Sequence, residues 1–142
     1  MQELSEVNGE LEGKVVFIIE IGNSFHSEGK LSMALEKYIE AWSLLPDPKE
    51  HWGISQWVAA CLYSVYFDLK NYSLSKQWGE IALKLKNSEI DTSPLVDLGM
   101  VCYELGQYEE CLKYFDRAYK FGKKRAFQER PEKYLNYYLD NV

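Results

Sequence analysis

A chain of 142 residues fits one domain and can bury a core without disulfides or metals. Hydrophobic residues make up 46% and aromatics 15%, which excludes disorder and leaves the aromatics as core or as binding surface. The net charge of −6 argues against a duplex nucleic-acid binder, which needs a clustered basic face, and favours a basic partner.

The hydrophobic period is 3.6 nearly throughout, and the turns between periodic segments are short. It predicts helices at about 10–28, 31–45, 50–69, 72–86, 93–105, 108–121 and 131–140. Pro46, Pro48, Pro94 and Pro131 all fall at predicted helix ends or first turns, and no alternating strand pattern bounded by hairpin dipeptides is present. Short links between helices imply antiparallel neighbours.

The first segment opens on a polar stretch (Gln2, Glu3, Ser5, Glu6, Asn8) that lacks the basic start and apolar run of a signal peptide. It then carries Ile18, Ile21-Gly22, Phe25, Gly29, Leu31, Ala34, Tyr38, Ala41 and Pro46. At the same offsets the third segment carries Leu95, Leu98-Gly99, Cys102, Gly106, Tyr108, Cys111, Phe115 and Ala118. A small residue on the first helix (Gly22, Gly99) opposite a small residue on the second (Ala34, Cys111) lets the two axes approach. Gly29 and Gly106 suit a left-handed turn between them.

The middle segment aligns with Tyr63, Tyr66, Lys70, Tyr72, Ser75, Gly79 and Ala82 at those positions. Tyr63 stands where a small residue is expected and Gly79 where a large one is, so a swap of volume across this hairpin is one reading and a shifted register the other.

This spacing of large, small and glycine positions resembles the tetratricopeptide repeat. The resemblance implies an all-α fold spanning 1–142. Three TPR-like antiparallel helical hairpins, at about 10–45, 50–86 and 93–121, form a right-handed superhelix, and a capping helix at about 131–140 covers the last apolar face. In repeat proteins of this kind first helices line a concave groove. On that face lie Val16, Ile19, Asn23 and His26, then Trp57, Ala60, Ser64 and Phe67, then Ser93, Val96, Met100 and Tyr103.

Asn23, His26, Trp57, Ser64, Phe67, Met100 and Tyr103 are the candidate partner contacts, because aromatic anchors dominate interface energetics. Family members that clamp a C-terminal carboxylate use lysines and arginines on this face. Here the corresponding positions hold Ile19, Ala60 and Val96, so that clamp is not expected.

The insertion around Pro46-Asp47-Pro48-Lys49-Glu50-His51-Trp52 adds a second candidate contact at Lys49 and Trp52. It resembles the link in short, stand-alone bacterial tetratricopeptide proteins, some of which accompany toxins as immunity partners. That resemblance implies a cytoplasmic protein that binds a basic toxin domain; a secretion chaperone or general adaptor is the alternative.

Chemistry has little support in the sequence. Neither His26 nor His51 lies beside a nucleophile-and-base pattern, and zinc, phosphate-loop and calcium-loop motifs are absent. No enzyme activity, cofactor or metal is therefore expected. Cys61, Cys102 and Cys111 have no metal-ligand spacing and are expected to be reduced core residues. Lys123-Lys124-Arg125, the basic cluster, follows the last repeat helix, where cations complement the helix dipole. No window reaches the roughly 18 apolar residues that a membrane span needs.

Overall fold

The computed structural model describes every residue except Met1, Asn87 and Glu89. Its helices are α1 (Ser5–Ser27), α2 (Leu31–Leu44), α3 (Gly53–Asp68), α4 (Tyr72–Lys84), α5 (Ser93–Glu104), α6 (Tyr108–Gly122) and α7 (Glu132–Asp140). Short 3-10 turns occupy Lys49–His51 and Lys123–Phe127. Among the described residues, β-pairing is limited to one isolated parallel bridge between Gln2 and Trp52. The chain divides into two compact units, Met1–Leu85 and Lys86–Val142.

Three hairpins close in the same way. Lys30 N–H donates to Phe25 O at 2.9 Å, Asn71 N–H to Tyr66 O at 2.9 Å and Gln107 N–H to Cys102 O at 2.8 Å. Each bond spans a helix end whose next-to-last residue must turn left-handed. Gly29 (φ 77°) and Gly106 (φ 76°) meet that demand without strain, whereas in the middle hairpin Lys70 does so at φ 63°.

The close approach within each hairpin differs from the expectation of small against small. A Cβ on Gly22 would lie 2.7 Å from Tyr38 Cε1, and one on Gly99 would overlap the Phe115 ring. The glycines thus make room for an aromatic ring of the second helix, while Ala34 and Cys111 are buried alongside. In the middle hairpin the equivalent pair is reversed, with Tyr63 on the first helix and Gly79 on the second, both buried. Its register is the expected one, because Ser75 Oγ donates to Tyr63 O at 2.9 Å, at the separation that relates Ala34 to Gly22.

In the first unit the core gathers Leu4, Val15, Ile18, Ile19, Tyr38, Leu45, Trp52, Val58, Leu62 and Val65. Each large side chain so removed from water contributes about 1.5–3 kcal/mol. α1 is interrupted at Asn8, whose backbone leaves the helical region (φ −152°, ψ 83°) and whose Oδ1 caps Leu11 N–H at 3.0 Å.

The proline link is also built into this unit. Trp52 is 6% exposed and its indole N–H donates to Pro46 O at 3.0 Å. Lys49 Nζ donates to Ser43 O at 3.0 Å and Leu45 O at 2.8 Å, closing the C-terminus of α2, and Ser55 Oγ donates to Lys49 O. Gly53 N–H donates to Gln2 O at 2.9 Å, and the Glu3 carboxylate lies against Gly53 at the start of α3. Lys49 and Trp52, the expected loop contact, thus both hold the link together.

In the second unit Leu95, Leu98, Val101, Cys102, Cys111, Phe115, Ala118, Phe127, Tyr134 and Tyr138 are buried. α7 is anchored by Tyr138 O–H donating to Asp116 Oδ1 at 2.7 Å and by Lys133 Nζ, 3.2 Å from Glu104 Oε1. Arg130, just ahead of it, places Nη2 2.9 Å from Asp97 Oδ1. Lys123, Lys124 and Arg125 are exposed, and Lys123 Nζ stands 5.4 Å from the Tyr119 ring.

Candidate partner-binding site

In the first unit, Asn23 and His26 of the expected first-helix face meet Cys61 and Asp68 of α3. The polar groups form one continuous chain of contacts. Asp68 Oδ2 lies 2.6 Å from His26 Nε2, His26 Nδ1 lies 3.4 Å from Tyr38 Oη, and Tyr38 O–H donates to Asn23 Oδ1 at 2.6 Å. Cys61 S–H donates to the same Asn23 oxygen at 3.8 Å. Two donors converging on one atom assign it as the amide oxygen, which leaves Nδ2 of Asn23 as the group with donors to spare on the exposed side.

Juxtaposition of a cysteine, a histidine and an aspartate invites comparison with a thiol nucleophile, but the geometry is wrong for one. Cys61 bonds to Asn23 rather than to His26, and burial pushes its thiol up to about 12, with the Tyr38 hydroxyl pulling it part of the way back. Burial likewise pushes the Tyr38 phenol well above its ordinary range, with Cys61 adding to it. Both groups stay protonated at neutral pH and serve as hydrogen-bond donors. Among the described residues no three His, Cys, Asp or Glu side chains are grouped to hold a metal ion.

The apolar part of the face is set by α3, which buries seven of its 16 residues. Trp57 is 41% exposed, while Phe67 is half-buried between Tyr63 (ring centroids 5.7 Å apart) and Tyr72 (5.3 Å). Ser64 is half-buried on the same helix. Of the positions where a carboxylate clamp would need cations, Ile19 and Val96 are fully buried.

In the second unit Met100 is buried, 6% exposed, and Tyr103 is half-buried beneath α7. The Tyr103 ring meets those of Tyr108 at 5.6 Å, Tyr134 at 5.5 Å and Tyr137 at 5.1 Å, and Lys133 Nζ lies 5.5 Å from it. The closing helix thus occupies this part of the expected face. Sequence inspection missed the His26–Asp68 pair, because the two residues are 42 positions apart and only the packing of α3 beside α1 joins them.

No helix among the described residues is long and apolar enough to cross a membrane. Residues 94–124, which hold the third hairpin, match the tetratricopeptide repeat model. Comparison with curated proteins finds none that matches. Among solved structures the chain is similar to the first TPR domain of Spaghetti (RPAP3), bound to the HSP90 peptide SRMEEVD. The TM-score is 0.69 at 20% identity, covering 90% of each chain. Three equivalent hairpins, a repeat-model match on one of them and this likeness establish an all-α helical-repeat fold of the tetratricopeptide kind.

Proposed function

We propose that the protein is a non-catalytic module that binds another protein on the α1–α3 face, with Asn23, His26, Trp57, Ser64 and Phe67 as its contacts. The observation that carries this reading is Trp57, a large aromatic left 41% exposed on a helix that otherwise supplies core residues such as Ile54, Val58 and Leu62. An exposed tryptophan on α3 and an oriented amide on α1 together have the composition of an interface anchor, apolar area with a polar contact.

Charge narrows the partner. α1 and α3 carry Glu6, Glu10, Glu12, Glu20 and Asp68 against Lys14 and His26, so a basic, partly apolar surface is favoured. The face lacks the cations that an acidic peptide would call for. In its most concrete form the proposal is a cytoplasmic immunity protein that covers the active site of a cognate basic bacterial toxin. The link resembling that of stand-alone bacterial repeat proteins supports this form. A chaperone or adaptor holding a peptide is the second reading, favoured by the fold neighbour's bound peptide.

The test is co-expression with the product of the adjacent gene, followed by purification and an activity assay on the complex. A stoichiometric complex whose toxic activity is abolished, and is restored by Trp57→Ala, supports immunity. An active secreted cargo held in the complex moves the reading to chaperone. Unchanged affinity in both Trp57→Ala and Asn23→Ala overturns the assigned face.

A further inference from the structure

The chain Asp68, His26, Tyr38, Asn23 raises a question of proton accounting. An ionised carboxylate only accepts, so His26 Nε2 carries a hydrogen donated to Asp68 Oδ2 at 2.6 Å. In the neutral ring Nδ1 is then a bare acceptor facing Tyr38 Oη at 3.4 Å. Tyr38 has a single proton and two acceptors around it, Asn23 Oδ1 and His26 Nδ1. In the imidazolium Nδ1 becomes a donor to Tyr38 Oη, and the phenol proton has only Asn23 left to serve.

We propose that His26 is a proton-linked switch for the binding face: its protonation commits the Tyr38 hydroxyl to Asn23 Oδ1 and so locks the Asn23 amide with Nδ2 outward. In the neutral state the hydroxyl is shared with His26, and the amide is left with the weaker Cys61 thiol as its steady donor. This inference rests on the reading of Asn23 as a partner contact, and gives that contact a regulator.

The groups that face His26 come from α2 and α3. From α3, Asp68 holds Nε2, and Cys61 meets both Asn23 and the Tyr38 hydroxyl. From α2, Tyr38 faces Nδ1, and Lys37, whose Cβ lies beside Gly22, is paired with Glu40 at 3.5 Å. Tyr38 and Cys61 stay protonated, as their burial requires. Protonation favours the locked amide, so a partner that accepts a hydrogen bond from Nδ2 binds more tightly when His26 is protonated. By linkage, its binding makes His26 harder to deprotonate.

The experiment needs no partner. In the full chain labelled with nitrogen-15, the Asn23 side-chain amide and the His26 ring are followed from pH 5 to 8. The expected result is a sigmoidal shift of the two Asn23 Nδ2 protons that shares its midpoint with the His26 ring. In Tyr38→Phe, which keeps the ring against Gly22, the His26 ring still titrates and the Asn23 shift is lost. Asn23 protons that stay still in the wild type overturn the proposal. So does an equal shift in Tyr38→Phe, which would come from the charge through space. Neither outcome depends on whether the face binds a toxin, a cargo or a peptide.

Discussion

Gly99 and Phe115 occupy one space: the place where a Cβ would stand on α5 is taken by the Phe115 ring of α6, with Cζ at 3.0 Å and the nearer edge overlapping it. Gly99→Ala is therefore expected to destabilise the protein by about 1–3 kcal/mol, since the ring cannot leave without displacing Phe127 and Tyr134 behind it. Urea midpoints measure this. The double variant Gly99→Ala/Phe115→Leu should recover part of the loss relative to Phe115→Leu alone, and strict additivity would refute the steric account.

Lys70 takes the left-handed turn that glycine takes at positions 29 and 106. Lys70→Gly should stabilise the middle hairpin by about 0.5–1 kcal/mol, the cost of a Cβ in that region less the entropy that glycine adds to the unfolded chain. A rise in thermal midpoint is the expected readout. A fall would mean that the lysine side chain contributes contacts worth more than the strain.

Asp97 supplies a pH signature. Burial pushes its carboxyl up to about 6, while Arg130 pulls it down and Asp91 adds to the rise. The folded value thus lies above the unfolded one near 3.9, and the native state holds a proton that the unfolded chain has released between about pH 4 and 6. This contribution to stability is complete below about pH 4 and is lost as pH rises through about 6, amounting to roughly 1–3 kcal/mol for a side chain still partly in contact with water. The stability difference between wild type and Asp97→Asn should therefore fall across that window and level off above it. Denaturation series at half-unit pH steps show the slope or its absence.

Trp57 and Tyr103 were equivalent as exposed aromatic candidates in the sequence, and they should now behave differently. Trp57→Ala removes a half-exposed side chain and should cost less than about 1 kcal/mol of stability while lowering partner affinity at least tenfold, about 1.4 kcal/mol. Tyr103→Ala takes away a ring packed against Tyr108, Tyr134 and Tyr137 and should cost about 2–4 kcal/mol. Equal stability losses in the two variants would contradict this division.

Much of the architecture was legible because a helical repeat writes its packing into local spacing. The glycine, aromatic and turn positions recur at fixed offsets, and all seven helices lie close to where the period places them. What spacing cannot convey is which neighbour fills a gap. Gly22 was paired with Ala34 on the grounds of size, yet Tyr38 fills the space, because its ring can lie along α1 and reach Asn23 with its hydroxyl. The site was legible only as a face. That Asp68 would meet His26, that Trp52 would turn inward, and that α7 would lie over Tyr103 all depend on contacts between distant segments. A hydrophobic period carries no information about such contacts.

The start of the chain gives the proline link its shape from a distance. Gln2 pairs with Trp52 and accepts from Gly53, Gln2 Oε1 lies 3.0 Å from His51 Nε2, and Leu4 is fully buried. Residues 2–4 act as a splint, so loosening them would be felt some fifty positions downstream, where the helix that presents Trp57 would lose its fixed starting point.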